Sequence, residues 1–154
     1  MIVAKTLHIE QASLSDVEAV RHLAERAYAS YIPVMNARPL PMDADYAARI
    51  GRGDVWLVRS EKDDLHASLT LTHEADHLGI YSIAVDPAAQ GEGYGRKMLD
   101  FACQRAKDLG YAEVQLFTNV LMIENRAWYQ RNGFLETYQE QRGDKLICHM
   151  TRTL

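Results

Sequence analysis

The sequence predicts an α/β sandwich on a mixed sheet, in the order β-α-α-β-β-β-α-β-α-β-β. Three observations carry that prediction. Two stretches space their apolar residues by three and four, the period of a helix with one buried face. Around them lie short runs that either alternate apolar with polar or are apolar throughout, as half-buried and fully buried strands do. A chain of 154 residues with 47% hydrophobic and 25% charged side chains can fill one core and is tight for two, so residues 1–154 are expected to form a single domain.

In chain order, residues 2–9 mix β-branched and polar side chains and predict the first strand. Ser15-Asp16-Val17-Glu18 has capping-box spacing, and Val17, Val20, Leu23, Ala24, Ala27 and Tyr28 mark the helix behind it. Three prolines among residues 32–42 predict a stiff, irregular loop. A short helix is expected from Asp43 to about Ile50, closed by Gly51 and Gly53. Val55-Trp56-Leu57-Val58 is a buried strand, Lys62-Asp63-Asp64 its turn, and Leu65 to Thr72 alternate with period two. A turn near Glu74-Ala75-Asp76 leads to a strand at Ile80–Val85, stopped by Pro87. Met98, Leu99, Ala102, Ala106 and Leu109 form the stripe of a second long helix, with Gly110 at its end. Val114, Leu116 and Thr118 alternate in a strand, a helix at roughly 124–132 ends at Asn132-Gly133, and strands follow near 134–139 and 145–151.

A formal net charge of −4 argues against nucleic acid as the main partner, because binding a phosphate backbone calls for an excess of Lys and Arg. No run of about 18 apolar residues could span a bilayer. The opening Met1–Leu7 lacks the basic, apolar, small-residue order of a secretory signal. Cys103 and Cys148 form neither a CxxC pair nor a disulfide framework. A cytoplasmic protein without membrane partners is therefore expected.

Val85-Asp86-Pro87-Ala88-Ala89-Gln90-Gly91-Glu92-Gly93-Tyr94-Gly95-Arg96 is the most informative segment. It joins a buried strand to an amphipathic helix, and glycine fills three alternate positions. Glycine tolerates positive φ and lets a ligand approach the backbone. A helix opening near Gly93 would aim unpaired amides and the positive end of its dipole at one point, which suits a phosphate or pyrophosphate, with Arg96 adding formal charge. No Lys-Ser or Lys-Thr pair follows, as a P-loop requires. The GxGxG run begins six residues after Val85, unlike a dinucleotide fingerprint, so a nicotinamide oxidoreductase is disfavoured.

Gln90-Gly91-Glu92-Gly93-Tyr94-Gly95 resembles the Q/R-x-x-G-x-G/A signature of the GNAT N-acetyltransferase superfamily, and Ile83-Ala84-Val85-Asp86-Pro87 resembles its acyl-CoA-binding strand. Asn125-Arg126-Ala127-Trp128-Tyr129, closed by Gly133-Phe134, is similar to its second motif, and the element order matches over nearly the whole chain. The resemblance implies a mixed, mostly antiparallel sheet flanked by helices, and an enzyme that moves an acetyl group from acetyl-CoA to a primary amine, with no metal. It implies that the amides from Gly91 to Arg96, those of Glu92, Gly93, Tyr94 and Gly95 among them, hold the pyrophosphate of coenzyme A, with Gln90 also at the cofactor. Ile83, Ala84 and Val85 would pair with the pantetheine arm, Asn125 would bond to it, and Tyr129 would protonate the departing thiolate. A homodimer paired through the last strands is also consistent with the family. The rival within this fold is a non-catalytic acyl-CoA-binding module.

The chemistry needs a neutral amine, donors for an oxyanion and a proton for the thiolate. Many family members place a Glu near the position held here by Tyr81 or Ser82. Its absence leaves the base open between Tyr81, Glu74, a His and bulk water. Tyr28, Tyr31, Asn36, Arg38 and Tyr46 surround the proline-rich loop that the resemblance places over the acceptor, with Tyr28 and Tyr31 the candidates to touch a small-molecule or peptide amine. Trp56, Trp128 and Cys103 read as core. His73-Glu74-Ala75-Asp76-His77 spells HExxH, yet its alternating flanks predict an extended hairpin in which the two imidazoles lie roughly 13 Å apart, too far to share a metal. The acidic balance mildly favours a cationic acceptor.

Overall fold

The computed structural model describes residues 8–154, so most of the strand expected at 2–9 lies outside the described residues. Among them the order is β1 (Ile9–Gln11), α1 (Val17–Tyr28), α2 (Ile32–Met35), α3 (Tyr46–Gly51), β2 (Val55–Arg59), β3 (Leu65–His73), β4 (Leu78–Val85), α4 (Tyr94–Asp108), β5 (Glu113–Asn119), α5 (Ile123–Arg131), β6 (Leu135–Arg142) and β7 (Lys145–Thr153). The strands form a single sheet, β1-β2-β3-β4-β5-β7-β6, antiparallel at every junction except β4–β5. No described helix is long and apolar enough to cross a membrane.

Both faces of the sheet are covered, which is why β2 is apolar without alternation. Val55 and Leu57 pack with Val20, Ala24, Tyr46 and Ile50 of α1 and α3. Trp56 and Val58 point the other way, into the larger cluster with Met98, Leu99 and Ala102 of α4, Tyr129 and Phe134. Cys103 is buried in that cluster as packing.

Several expected boundaries move for local reasons. The first cap is Ser13 rather than Ser15: the Asp16 carboxylate accepts from the Ser13 amide at 2.8 Å and is held by Arg59, and a 3-10 turn at Leu14–Asp16 precedes α1. α3 starts later than expected because Pro41 starts a separate 3-10 turn at Leu40–Asp43, and Asp45 then caps the helix by accepting from the Ala48 amide at 3.0 Å. Ile32–Met35 adds one helical turn inside the proline-rich loop. Leu109 is not in the buried stripe. It follows the last turn of α4 and is 48% exposed.

Two irregularities in β4 shape everything that follows. Against β3, Thr70 pairs with Ser82 but Leu71 pairs with Ile80, so Tyr81 is an extra residue. This bulge shifts the pleat by one. Leu78 and Ile80 face α4 before it, and Ile83 and Val85 pack on that same side after it, while Ser82 turns toward α1. Against β5, the parallel ladder covers only Leu78–Ile80 with Val114–Leu116. Beyond that point β4 stays with β3 as far as Val85, and β5 stays with β7 as far as Asn119. The sheet forks, leaving residues 81–85 and 117–119 with facing edges that do not pair.

Candidate functional site

The glycine loop sits at the mouth of the fork. Asp86 ends β4 and caps a 3-10 turn at Pro87–Ala89, accepting from the Ala88 amide at 2.9 Å and from Arg26 at 2.9 Å. These bonds, the Ala88 amide foremost, hold its carboxyl below the usual range. Gly91 (φ +84°) and Gly93 (φ +87°) then adopt the left-handed backbone that L side chains resist, and a Cβ at either would meet only open space. Backbone conformation, not crowding, demands glycine there. Gly93 caps α4, whose first bond runs from the Lys97 amide to the Gly93 carbonyl at 3.1 Å. The N–H groups of Tyr94, Gly95 and Arg96 are thus free of the helix and aimed out of its positive end. At Gly95 a Cβ would touch the Trp128 ring at 3.4 Å, so that glycine lets α4 and α5 approach.

A cavity of about 480 Å³ runs from this loop into the fork. Of the predicted cofactor residues, Ile83, Val85, Gln90, Gly91, Gly93, Tyr94, Gly95, Arg96, Asn125 and Tyr129 line it. Ala84 does not, being buried and turned away by the pleat, and exposed Glu92 points elsewhere. The Arg96 guanidinium is paired with Asp100 at 3.1 Å, one turn along α4. Tyr31, expected against the acceptor, lines this cavity instead, and so does Trp128, expected in the core.

A second, more enclosed cavity of about 80 Å³ lies deeper, walled by Met35, Pro39, Leu40 and Pro41 of the proline-rich loop, by Tyr81 and Ser82 of β4, by Phe117, Thr118 and Asn119 of β5, and by Lys145 and Ile147 of β7. Tyr28, Asn125 and Tyr129 line both cavities and form the partition. The Tyr28 hydroxyl lies 2.9 Å from Ser82 Oγ and donates to the Ile83 carbonyl at 3.1 Å; burial pushes its pKa up to about 12. Tyr129 is 5% exposed, wedged edge-on between Trp128 and Phe134. Burial drives its pKa well above the ordinary phenol value, and among the described residues its hydroxyl has no hydrogen-bond partner. Asn125 and Tyr129 lie one turn apart on α5, and the Asn125 amide donates to Thr118 Oγ1 at 3.4 Å.

Tyr81 lies under the Arg49 guanidinium, whose carbon is 3.7 Å from the ring centroid, and burial raises its pKa. Asn36, Arg38 and Tyr46 do not line either cavity: Arg38 turns to Asp43, and Tyr46 packs beneath the loop, donating to the Pro41 carbonyl at 2.5 Å. Glu74 belongs to the β3–β4 turn, at the end of β4 farthest from the fork, and its amide closes that turn by donating to the His77 carbonyl at 3.1 Å. The HExxH string is thus a hairpin turn, not a helix. Among the described residues no histidine, aspartate or glutamate lines either cavity.

A sequence model of the acetyltransferase (GNAT) family matches residues 17–134. The mycothiol acetyltransferase of Beutenbergia cavernae is 37% identical over 82 residues, covering 52% of this chain and 28% of that protein. Human N-acetyltransferase 8B is 26% identical over 133 residues, covering 82% of this chain and 58% of that one. The chain thus spans less than two thirds of either relative. The PaiA N-acetyltransferase of Thermoplasma acidophilum, crystallised with coenzyme A, superposes with a TM-score of 0.81 over 97% of this chain and all of that one, at 16% identity, a likeness of fold. With the family's model covering the fork, the glycine loop and the Asn125–Tyr129 helix together, the chain belongs to the GNAT acetyltransferase family.

Proposed function

We propose that the protein moves an acetyl group from acetyl-CoA to a primary amine by direct attack, with both substrates bound at once. The observation that carries this reading is the fork between β4 and β5, with a wide cavity reaching the glycine loop on one side and a small cavity on the other, joined at Tyr28, Asn125 and Tyr129.

Bound acetyl-CoA supplies an activated thioester. The amides of Tyr94, Gly95 and Arg96 face where a pyrophosphate would sit, and Gly91 and Gly93 clear space for it. The open edge of β4 at Ile83 and Val85 can take an extended pantetheine arm as a sheet takes an added strand, and its donors can stabilise oxyanion charge. In the transfer the amine nitrogen bonds to the acetyl carbon as the carbon–sulfur bond breaks. The amine releases one proton to solvent, and the thiolate takes one from Tyr129, which recovers it from solvent. Burial keeps Tyr129 protonated at neutral pH, as an acid must be. The same argument removes Tyr81 as a base, since its raised pKa leaves it protonated. Because neither cavity is lined by a carboxylate or imidazole among the described residues, the amine reacts from its neutral form, and catalysis rests mainly on positioning.

Calorimetry with acetyl-CoA, set beside NAD, tests this reading. Binding of the thioester and not of the dinucleotide, followed by thiol release with some primary amine, is expected. No heat at millimolar acetyl-CoA overturns it.

A further inference from the structure

The acceptor cavity carries charge of a single sign. Its walls are largely apolar, Leu40, Leu116 and Ile147 among them, and Lys145 is the one charged residue lining it among the described residues. A second cation, Arg49, covers Tyr81 on the same cavity. Neither Lys145 nor Arg49 has an ion-pair partner among the described residues, and Asp43, the acid that acts on Tyr81, is held by Arg38 at 3.0–3.2 Å. An unpaired cation beside apolar, water-poor space attracts an anionic group and repels a polycation. The whole-chain charge of −4 predicts the opposite, but among the described residues no carboxylate lines this cavity, and screening confines an exposed charge to about 8 Å.

Resting on the acetyl-transfer reading above, we infer that the acceptor is a small amino carboxylate with an apolar side chain. Its carboxylate meets Lys145, its side chain occupies the apolar wall, and its amine faces the Tyr28–Asn125–Tyr129 partition. The small volume of about 80 Å³ favours a compact apolar side chain over an indole. Acetylation removes the amine's charge and leaves the carboxylate on Lys145, so the product is an N-acetylamino acid and free thiol.

Thiol release from acetyl-CoA, measured with leucine, leucinamide, 3-methylbutylamine and spermidine, tests the inference. Leucine is expected to exceed leucinamide at least tenfold in kcat/KM, and spermidine to be the poorest. Lys145→Ala should cut the leucine-to-leucinamide ratio at least tenfold, and Lys145→Glu should reverse it, with the melting-temperature rise given by acetyl-CoA as the check that each variant is folded. A preference for leucinamide or spermidine, or a ratio that Lys145→Ala does not move, overturns the inference and leaves the acetyl-transfer reading standing. Acetyl-CoA binding with no turnover of leucine likewise overturns the inference. Absence of acetyl-CoA binding brings down the earlier reading instead.

Discussion

The two sides of the partition are built from different materials. The wide cavity combines main-chain features, the positive-φ glycines, the free amides at the start of α4 and the unpaired edge of β4, with the aromatic residues Tyr28, Tyr31, Trp128 and Tyr129. The small cavity is made of residues brought together from six parts of the chain, α1, the proline-rich loop, β4, β5, α5 and β7. A ligand held by main chain tolerates most side-chain changes and fails when the backbone cannot take its shape. A ligand held by side chains can be redirected one residue at a time. A common donor on one side and a variable acceptor on the other is the division of labour this construction allows.

That contrast can be broken most severely at Gly93. A β-branched residue at φ +87° costs about 1–3 kcal/mol of strain and displaces the first amides of α4. Gly93→Val is expected to weaken acetyl-CoA binding about 100-fold by calorimetry; near-normal affinity would show that the main chain is not what holds the cofactor. At the partition, Tyr129→Phe should lower kcat about 100-fold, the scale of a lost general acid, while acetyl-CoA affinity changes little. An equal loss in both would make Tyr129 a packing residue.

Tyr28→Phe takes the partner from buried Ser82 Oγ and the Ile83 carbonyl, and should destabilise the protein by about 1–3 kcal/mol in thermal melts. The pH sense is fixed by the raised pKa of Tyr28. Its contribution is full below the ordinary phenol value near 10 and disappears as pH climbs through about 12. The rate should likewise rise from pH 6 to 9 as the amine loses its proton, with no falling limb in that range, because the phenols at the partition stay protonated. The smallest effect is expected at Arg96, exposed and already paired with Asp100: Arg96→Ala should raise the KM for acetyl-CoA only about threefold, in keeping with an exposed ion pair.

The same contrast explains what the sequence discloses. Helix stripes such as Val20-Leu23-Ala24 and Met98-Leu99-Ala102 announce their buried faces because helical period and burial coincide. The cofactor side is legible because positive-φ backbone demands glycine and so leaves GxGxG in the text. Asn125 and Tyr129 are legible because one helical turn separates them. The acceptor side leaves no such trace. Lys145 follows Leu40 by 105 residues, and only folding brings the two to one cavity. Tyr31 and Trp128 were displaced from their expected places for a similar reason: an aromatic residue on a helix gives its spacing but not which cavity its ring will wall. A net charge summed over the chain also says nothing of the single cation that lines the small cavity among the described residues. The bulge, by contrast, had a signal, since the apolar residues of β4 change parity between Ile80 and Ile83.

That single extra residue has a consequence for any attempt to edit the strand. Because Tyr81 resets the phase of β4, its two halves are keyed to opposite parities, and neither can slide past β3 without exposing the other. Inserting a residue after Ser82 would swing Ile83 and Val85 toward the first helix, whereas deleting Tyr81 would remove the bulge and leave both on the α4 side in plain alternation. An insertion that a surface loop would absorb therefore becomes here an inversion of inside and outside along the strand where the two substrates are proposed to meet.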